Sequence, residues 1–164
     1  MIIHRDMFKE HEEERPTVLV SGGFDPVHVG HIRMIREASK YGDVIVIANS
    51  DAWLHSKKGF MFMDFEARHE ILDSIKGVLL VDSVDDSDGT VCDALRRHKP
   101  TYFANGGDRG KDNTPEVLLC KELGIELLWG IGGEEKVESS SELVKKAREN
   151  KTPKNRTKPK ESSR

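Results

Sequence analysis

The chain has 164 residues, of which 36% are hydrophobic and 34% are charged, against roughly 25% charged residues in an average globular domain. This length predicts one domain whose core is large enough to fold without disulfide or metal staples. The formal net charge of −3 excludes a protein that binds nucleic acid through a strongly basic overall surface, although a local basic site remains compatible with it.

The charge is divided unevenly along the chain. Residues 151–164 contain six Lys or Arg, one Glu, two Pro and no hydrophobic residue, a composition that cannot form a core and predicts disorder. This segment carries a formal charge of +5, which leaves −8 for residues 1–150 out of the total of −3. We therefore predict a basic tail at 149–164 that is a solvated terminus, with contact to nucleic acid or an acidic partner as the alternative.

The start of the chain and its cysteines predict a cytoplasmic protein. Residues 1–16 form an N-terminal extension without the apolar segment of a secretory leader. No apolar run in the sequence approaches the roughly 18 residues that cross a membrane. Cys92 and Cys120 lack CxxC spacing, so a metal ribbon is excluded and two reduced thiols are expected.

Residues 17–148 alternate short β-branched runs with longer stretches of helical periodicity, which is typical of βαβ units. Strands are predicted at 17–21, 43–49, 78–84, 101–105 and 125–129, and helices at 31–41, 64–75, 91–98, 115–123 and 140–148. Right-handed crossovers then give an α/β fold, a Rossmann-like open five-stranded parallel sheet with helices on both faces. Ligands bind such sheets beyond the carboxyl ends of the strands, so the residues after each strand are candidate site residues.

The first strand is followed by SGGFDPVHVGH at residues 21–31, which leads into the first predicted helix. Gly22 and Gly23 allow a tight turn with exposed N–H groups, and the helix N-terminus after it favours an anion. His28 and His31 are three residues apart, so at a helix start both face the same ligand. A structural pair and a metal pair with Asp25 are alternatives, but the glycine turn favours a pair that stabilises phosphate charge.

The segment GGFDPVHVGH resembles the first signature of the HxGH nucleotidyltransferase superfamily, the cytidylyltransferase-like enzymes. Further resemblances follow in order over about residues 17–148: NSD at 49–51, KG at 58–59, EAR at 66–68, GGD at 106–108 and SSS at 139–141. Within the superfamily, the chain is most similar to heptose 1-phosphate adenylyltransferases and next to glycerol-3-phosphate cytidylyltransferases.

The resemblance implies an enzyme that transfers AMP from ATP, or CMP from CTP, to a phosphorylated sugar or polyol such as heptose 1-phosphate or glycerol 3-phosphate, with release of pyrophosphate. It also implies Mg²⁺ bound with the nucleotide and a homo-oligomer, with no membrane partner. The sequence shows no Ser-His-Asp or Cys-His arrangement, so positioning and charge stabilisation must supply the rate. The alternatives are a non-catalytic nucleotide-binding regulator of the same fold and a His-based metal protein, which lacks a third well-spaced ligand.

The same resemblance implies roles for individual residues. The catalytic set, whose members would contact or neutralise phosphates, is His28, His31, Lys58 and Arg68. The nucleotide-binding set, made of turn residues, glycines and hydroxyls, is Gly22, Gly23, Phe24, Asp25, Gly30, Gly107, Asp108, Ser139, Ser140 and Ser141. No protein residue is assigned as a metal ligand.

Several of these residues have an ordinary structural alternative. Lys57 could replace Lys58, and Arg68 could be an exposed helix residue. The three serines could simply cap the last helix. Asp108 could help place a hydrated Mg²⁺, whereas Asp25 is better suited to shaping the turn than to binding metal.

Three positions depart from the family pattern. Val137-Glu138 stands before the serines, where the family often has glycine. A Phe-Met-Phe-Met run at 60–63 replaces a basic segment, predicts a different acceptor pocket, and could be a lid, a pocket wall or a dimer surface. Asn105 replaces the Lys that precedes Gly-Gly-Asp in heptose-type enzymes, and Arg109 or Lys111 could supply the missing charge.

Overall fold

The strands of the protein form one parallel sheet in the order β3-β2-β1-β4-β5 in a computed structural model that describes residues 14–106, 113–132 and 140–150. Strands and helices alternate almost throughout, which confirms the predicted Rossmann-like α/β fold with five parallel strands. The elements are β1 (Thr17–Gly22), α1 (Val29–Ala38), β2 (Asp43–Ala48), α2 (Asp51–Lys58), α3 (Phe65–Asp73), β3 (Val78–Asp82), α4 (Cys92–His98), β4 (Tyr102–Ala104), α5 (Pro115–Leu123), β5 (Glu126–Leu128) and α6 (Ser140–Glu149).

The sheet carries an apolar layer on each face, because successive residues of a strand point to opposite sides. On β1, Val18 and Val20 join a buried cluster that includes Leu72 of α3. Leu19, between them, joins the opposite cluster, which includes Leu95 of α4. The central strands are therefore covered by helices on both faces, which is why they form nearly continuous apolar runs in the sequence.

Helix α2 is not predicted by the sequence pattern. Ser50 caps it by accepting the N–H of Trp53 at 3.0 Å, and Gly59 ends it in the left-handed conformation at φ +76. Only Leu54 of this helix is buried, so α2 lacks the apolar periodicity by which a helix is found in a sequence. Lys58, which falls between the predicted strand at 43–49 and the predicted helix at 64–75, is thus the last residue of a helix, whereas the other elements begin and end within three residues of their predicted bounds.

The order of the strands determines where a ligand can bind. β1 lies at the centre, with β2 and β3 on one side and β4 and β5 on the other. The chain moves outward from β1 to β3 and then returns past β1 to reach β4, so the direction of winding reverses between β1 and β4. Open α/β sheets bind ligands in the crevice at such a reversal, beyond the carboxyl ends of the strands.

No helix within the described ranges combines the length and the apolar character that a membrane span requires.

Candidate functional site

The turn from β1 into α1 packs its backbone closely against neighbouring side chains. A Cβ at Gly22 would lie 3.4 Å from the Phe24 ring, and a Cβ at Gly23 would lie 2.9 Å from Cδ2 of Leu54. Phe24 adopts φ +52, a left-handed conformation that non-glycine residues rarely occupy. Its ring is only 1% exposed, and burial in the core holds this strained backbone in place.

The two histidines of the turn stack on each other at the start of α1. Their ring centroids are 3.8 Å apart, with 22° between the ring planes, and the Phe24 ring meets His31 edge-on at 4.8 Å. Nδ1 of His28, the N-cap residue, accepts the N–H of Gly30 at 3.1 Å. The N–H of His28 in turn donates to Nδ1 of His31 at 3.2 Å, so this capping arrangement engages one ring nitrogen of each histidine.

This hydrogen bonding determines where each ring carries its proton. An Nδ1 that accepts a backbone N–H is unprotonated, so the imidazole keeps its proton on Nε2. Burial, followed by electrostatic interaction with His28 and then with Lys58, lowers the pKa of His31 from 6.5 to about 3. His31 is therefore neutral at physiological pH and presents Nε2–H as a hydrogen-bond donor.

The depressed pKa of His31 predicts a pH dependence of stability. As the pH falls below 6.5, the unfolded chain binds a proton at this residue before the folded protein does. Above pH 6.5, neutral His31 makes its full contribution to the free energy of unfolding. As the pH falls from 6.5 toward 3, this contribution decreases by up to about 1.4 kcal/mol per pH unit. The free energy of urea unfolding should fall less steeply between pH 6.5 and 4 in His31→Asn than in the wild type; equal slopes would contradict this.

Lys58 and Asp25 link α2 to the β1–α1 turn. Nζ of Lys58 donates to the backbone oxygen of Asp25 at 2.7 Å and lies 4.0 Å from its carboxylate. The fully buried carboxylate of Asp25 accepts the N–H of Phe62 at 2.8 Å and that of Met63 at 2.6 Å. Asp25 therefore holds the 60–63 segment against the turn.

Arg68 is enclosed by protein, with a side chain that is 0% exposed. Its Nη1 donates to the backbone oxygens of Gly23 and Asn49, both at 2.8 Å. Its Nε donates to the backbone oxygen of Met63 at 3.1 Å, and its Nη2 donates to Oδ1 of Asp51 at 2.7 Å. Because these bonds engage four of the five N–H groups of a guanidinium, the structure gives Arg68 a positioning role in place of the expected phosphate contact, and the alternative of an exposed helix residue is wrong.

The predicted site residues that the structure brings together surround the carboxyl end of β1. They are Gly22, Gly23, Phe24, Asp25, His28, Gly30, His31 and Lys58. Lys57, the alternative cation, is exposed and places its Nζ 5.6 Å from the centroid of the Trp53 ring. Ser140 begins α6 as predicted, but its side chain and that of Ser141 are not described. The remaining predicted positions lie outside the described residues: Gly107, Asp108, Arg109, Lys111, Val137, Glu138 and Ser139.

Asp86 is a site-forming residue that the sequence analysis missed. Its carboxylate is buried and accepts the side-chain N–H of Asn49 at 3.0 Å, the backbone N–H of Ser50 at 2.9 Å and the hydroxyl of Ser50 at 2.6 Å. It thereby joins the end of β2 to the segment after β3. The NSD motif at 49–51 pointed to Asn49 and Ser50. Asp86, however, lies in an Asp-Asp-Ser-Asp-Gly stretch whose composition is typical of an ordinary polar loop.

A buried donor without a partner lies at the end of β4. Nδ2 of Asn105 is inaccessible to solvent and donates to no acceptor among the described residues. The backbone of Asn105 is bonded to Leu128 and Ile131, at 2.8 and 3.1 Å. This donor lies on the side of the sheet where the winding reverses, and buried polar groups normally find a partner.

No group of three or more His, Cys, Asp or Glu side chains within the described ranges is arranged to hold a metal ion. The carboxylate of Asp25 is occupied by two backbone N–H groups, and Nδ1 of each stacked histidine is occupied as well. A divalent cation at this site would therefore take its ligands mainly from phosphate oxygens and water, which is the usual arrangement for Mg²⁺.

The chain is similar in sequence to a known protein family and to curated proteins. A family model described as cytidylyltransferase-like matches residues 19–151. The chain is 32% identical over 115 residues to the bifunctional protein HldE of Geobacter metallireducens, covering 66% of this chain and 22% of that protein. It is 32% identical over 126 residues to the bifunctional protein HldE of Syntrophotalea carbinolica, covering 73% of this chain and 24% of that protein. The chain thus spans about a quarter of the length of these curated relatives.

Among solved structures, the chain is similar to the lipopolysaccharide core biosynthesis protein from Thermoplasma volcanium GSS1. The two share a TM-score of 0.58 and 24% sequence identity, over 70% of this chain and 93% of that chain. At this level of identity, the likeness supports the common fold.

Proposed function

Because the chain belongs to the cytidylyltransferase-like family of nucleotidyltransferases, we propose that it transfers AMP from ATP, or CMP from CTP, to the phosphate of a phosphorylated sugar or polyol. The stacked pair of His28 and His31 carries this proposal. Each ring uses Nδ1 to accept a backbone N–H, so each imidazole carries its proton on Nε2, beside a helix N-terminus. Such fixed donors match the oxygens of a polyphosphate and need no rearrangement as negative charge develops on them.

The chemistry is an in-line displacement at the α-phosphorus of the nucleotide. An oxygen of the acceptor phosphate forms the new bond to that phosphorus, and the bond from phosphorus to the oxygen that bridges to the β-phosphate breaks. Pyrophosphate leaves with the bonding electrons. In this scheme Nε2–H of His28 and of His31 donate to non-bridging phosphate oxygens, and the ammonium of Lys58 offsets part of their negative charge.

We place the nucleotide in the crevice between the ends of β1 and β4. The glycines at 22 and 23 allow its phosphates to approach the backbone closely.

The proposal includes Mg²⁺ bound together with the nucleotide. When bound, the ion would neutralise part of the phosphate charge and favour departure of pyrophosphate. The described residues offer no carboxylate cluster of their own for it, so phosphate oxygens and water would provide most of its ligands.

We further propose that the protein assembles as a homo-oligomer and acts in the cytoplasm. The free and buried thiols of Cys92 and Cys120 support a reducing compartment. Phe62 supports an assembly surface, because its apolar side chain is 66% exposed. Sedimentation of the purified protein tests the oligomer: a single species at the mass of the monomer would contradict it.

A pyrophosphate-release assay tests the proposed reaction. The protein is incubated with Mg²⁺, with ATP or CTP, and with one acceptor at a time from sugar 1-phosphates, glycerol 3-phosphate and phosphopantetheine. We expect release with one nucleotide and with a sugar or polyol phosphate. Release with no combination would contradict the proposal, and tight nucleotide binding without release would favour the non-catalytic regulator.

A further inference from the structure

Glu37 makes a long-range contact that the proposed mechanism does not use. It lies in the last turn of α1, is partly buried, and accepts the backbone N–H of Gly132 on Oε2 at 2.6 Å. The two residues are 95 positions apart in the chain. Among the residues that the structure describes, no Lys, Arg or His forms an ion pair with this carboxylate.

The stability of α1 does not explain a carboxylate at this position. The C-terminal end of a helix carries partial negative charge, so an acidic side chain in the last turn is unfavourable. A hydrogen bond to an ionised acceptor, by contrast, is about twice as strong as a bond between neutral groups. The role of Glu37 is therefore sought in the segment that it holds, which follows β5.

The 130–132 segment packs tightly against α1. Ile131 is 5% exposed and belongs to the apolar cluster that α1 covers. Gly132 adopts φ +99, and a Cβ there would lie 3.3 Å from Cβ of Met34. Glycine at this position permits both the left-handed backbone and the close approach to the helix. Glu37 bonds the N–H of this same glycine, so the hydrogen bond and the packing act at one point.

The same segment also supports the end of β4. The N–H of Ile131 donates to the backbone oxygen of Asn105 at 3.1 Å, and a Cβ at Gly106 would lie 3.7 Å from the backbone oxygen of Ile131. Contacts therefore run from α1 through Glu37 and the 130–132 segment to the end of β4. Helix α1 carries the histidine pair at its start, and the end of β4 forms the other wall of the proposed nucleotide crevice.

Resting on the proposed function, we infer that Glu37 is a positioning residue for the nucleotide, because its carboxylate fixes the end of β4 relative to the histidine pair. Glu37 is six positions after His31, a rise of roughly 9 Å along the helix axis, so it acts without touching the phosphates. Its loss should weaken nucleotide binding and leave the two histidines in place.

The variant Glu37→Ala tests this inference by steady-state kinetics. Its KM for the nucleotide should rise about 10-fold, the effect of losing a hydrogen bond to a charged group, while kcat stays within about threefold of the wild type. Glu37→Gln keeps a side-chain oxygen that can accept the N–H of Gly132, so its KM should stay within about threefold of the wild type.

The matched control is Glu122→Ala on α5. Glu122, like Glu37, is the penultimate residue of its helix, but it is exposed and its side chain bonds no described residue. Its nucleotide KM should equal that of the wild type. Titration calorimetry with ATP and with CTP, in the presence of Mg²⁺, gives the nucleotide dissociation constants of all variants without any acceptor, and unfolding curves verify that each variant is folded.

The outcomes separate this inference from the proposed function. A nucleotide KM and dissociation constant that rise in Glu37→Ala, but not in Glu37→Gln or Glu122→Ala, support the positioning role. Turnover by Glu37→Ala with an unchanged nucleotide KM, whether or not its stability falls, overturns that role and leaves the proposed function intact. Equal rises in Glu37→Ala and Glu37→Gln also overturn it. Absence of turnover in the wild type contradicts the proposed function, and the dissociation constants then decide on Glu37 alone.

Discussion

Replacing His28 or His31 with asparagine is expected to lower kcat for pyrophosphate release by about 100- to 1,000-fold, the effect of removing one fixed donor to a developing negative charge. Asparagine is chosen because its side-chain oxygen can take over the role of Nδ1 as acceptor of a backbone N–H. It is also a preferred N-cap residue, so α1 should retain its start. The variants thus remove Nε2–H with little effect on the fold.

The control for both variants is His55→Asn on α2. His55 is exposed and takes no part in the histidine stack, so its kcat should match that of the wild type. Unfolding curves recorded at neutral pH verify that all three variants are folded under assay conditions. A kcat within threefold of the wild type in both His28→Asn and His31→Asn would show that the stacked pair is not part of the reaction.

Replacing Arg68 with methionine is expected to lower the free energy of unfolding by about 3–5 kcal/mol, the usual cost of removing one partner from a buried charged network. The backbone oxygens of Gly23, Asn49 and Met63 would each lose a donor. Methionine occupies a similar volume, so loss of packing should contribute little. Because two of these oxygens lie just beyond the ends of β1 and β2, kcat should fall together with stability.

Two further variants separate the buried hydrogen bonds from the ion pair. Asp51→Asn removes the carboxylate that pairs with Arg68, but the Asp51 side chain is 39% exposed, so the loss should stay below about 1 kcal/mol. Arg68→Lys keeps the charge but offers fewer donors in a different geometry, and its stability should be closer to that of Arg68→Met than to the wild type. A loss of less than 1 kcal/mol in Arg68→Met would contradict the positioning role.

The architecture of this protein was predictable because its core strands are buried on both faces. β-branched runs such as 43–49 and glycines such as Gly124, which ends α5 at φ +71, mark the elements in the sequence without ambiguity. Helix α2 was not predictable in the same way. It buries Leu54 alone, and its serine cap resembles an ordinary loop residue until the capping hydrogen bond is seen.

The candidate site was predictable where local chain geometry determines it. The spacing of His28 and His31 was enough to place both on one turn, and the stack of their rings bears this out. The role of Arg68 was not predictable, because its environment consists of carbonyl groups contributed by three separate segments. Asp86 was missed for a similar reason, since it meets Asn49 only after the sheet has formed.

The proposed reaction is tested most directly by ³¹P spectroscopy of the protein mixed with Mg²⁺, nucleotide and the preferred sugar or polyol phosphate. The account predicts that a nucleoside diphosphate derivative of the acceptor and pyrophosphate appear in equal amounts with the wild type and with His55→Asn. With the double variant His28→Asn/His31→Asn, both products should form at least about 100-fold more slowly. Products formed at the wild-type rate by the double variant, or nucleotide cleavage without the nucleoside diphosphate product, would contradict nucleotidyl transfer at the histidine pair.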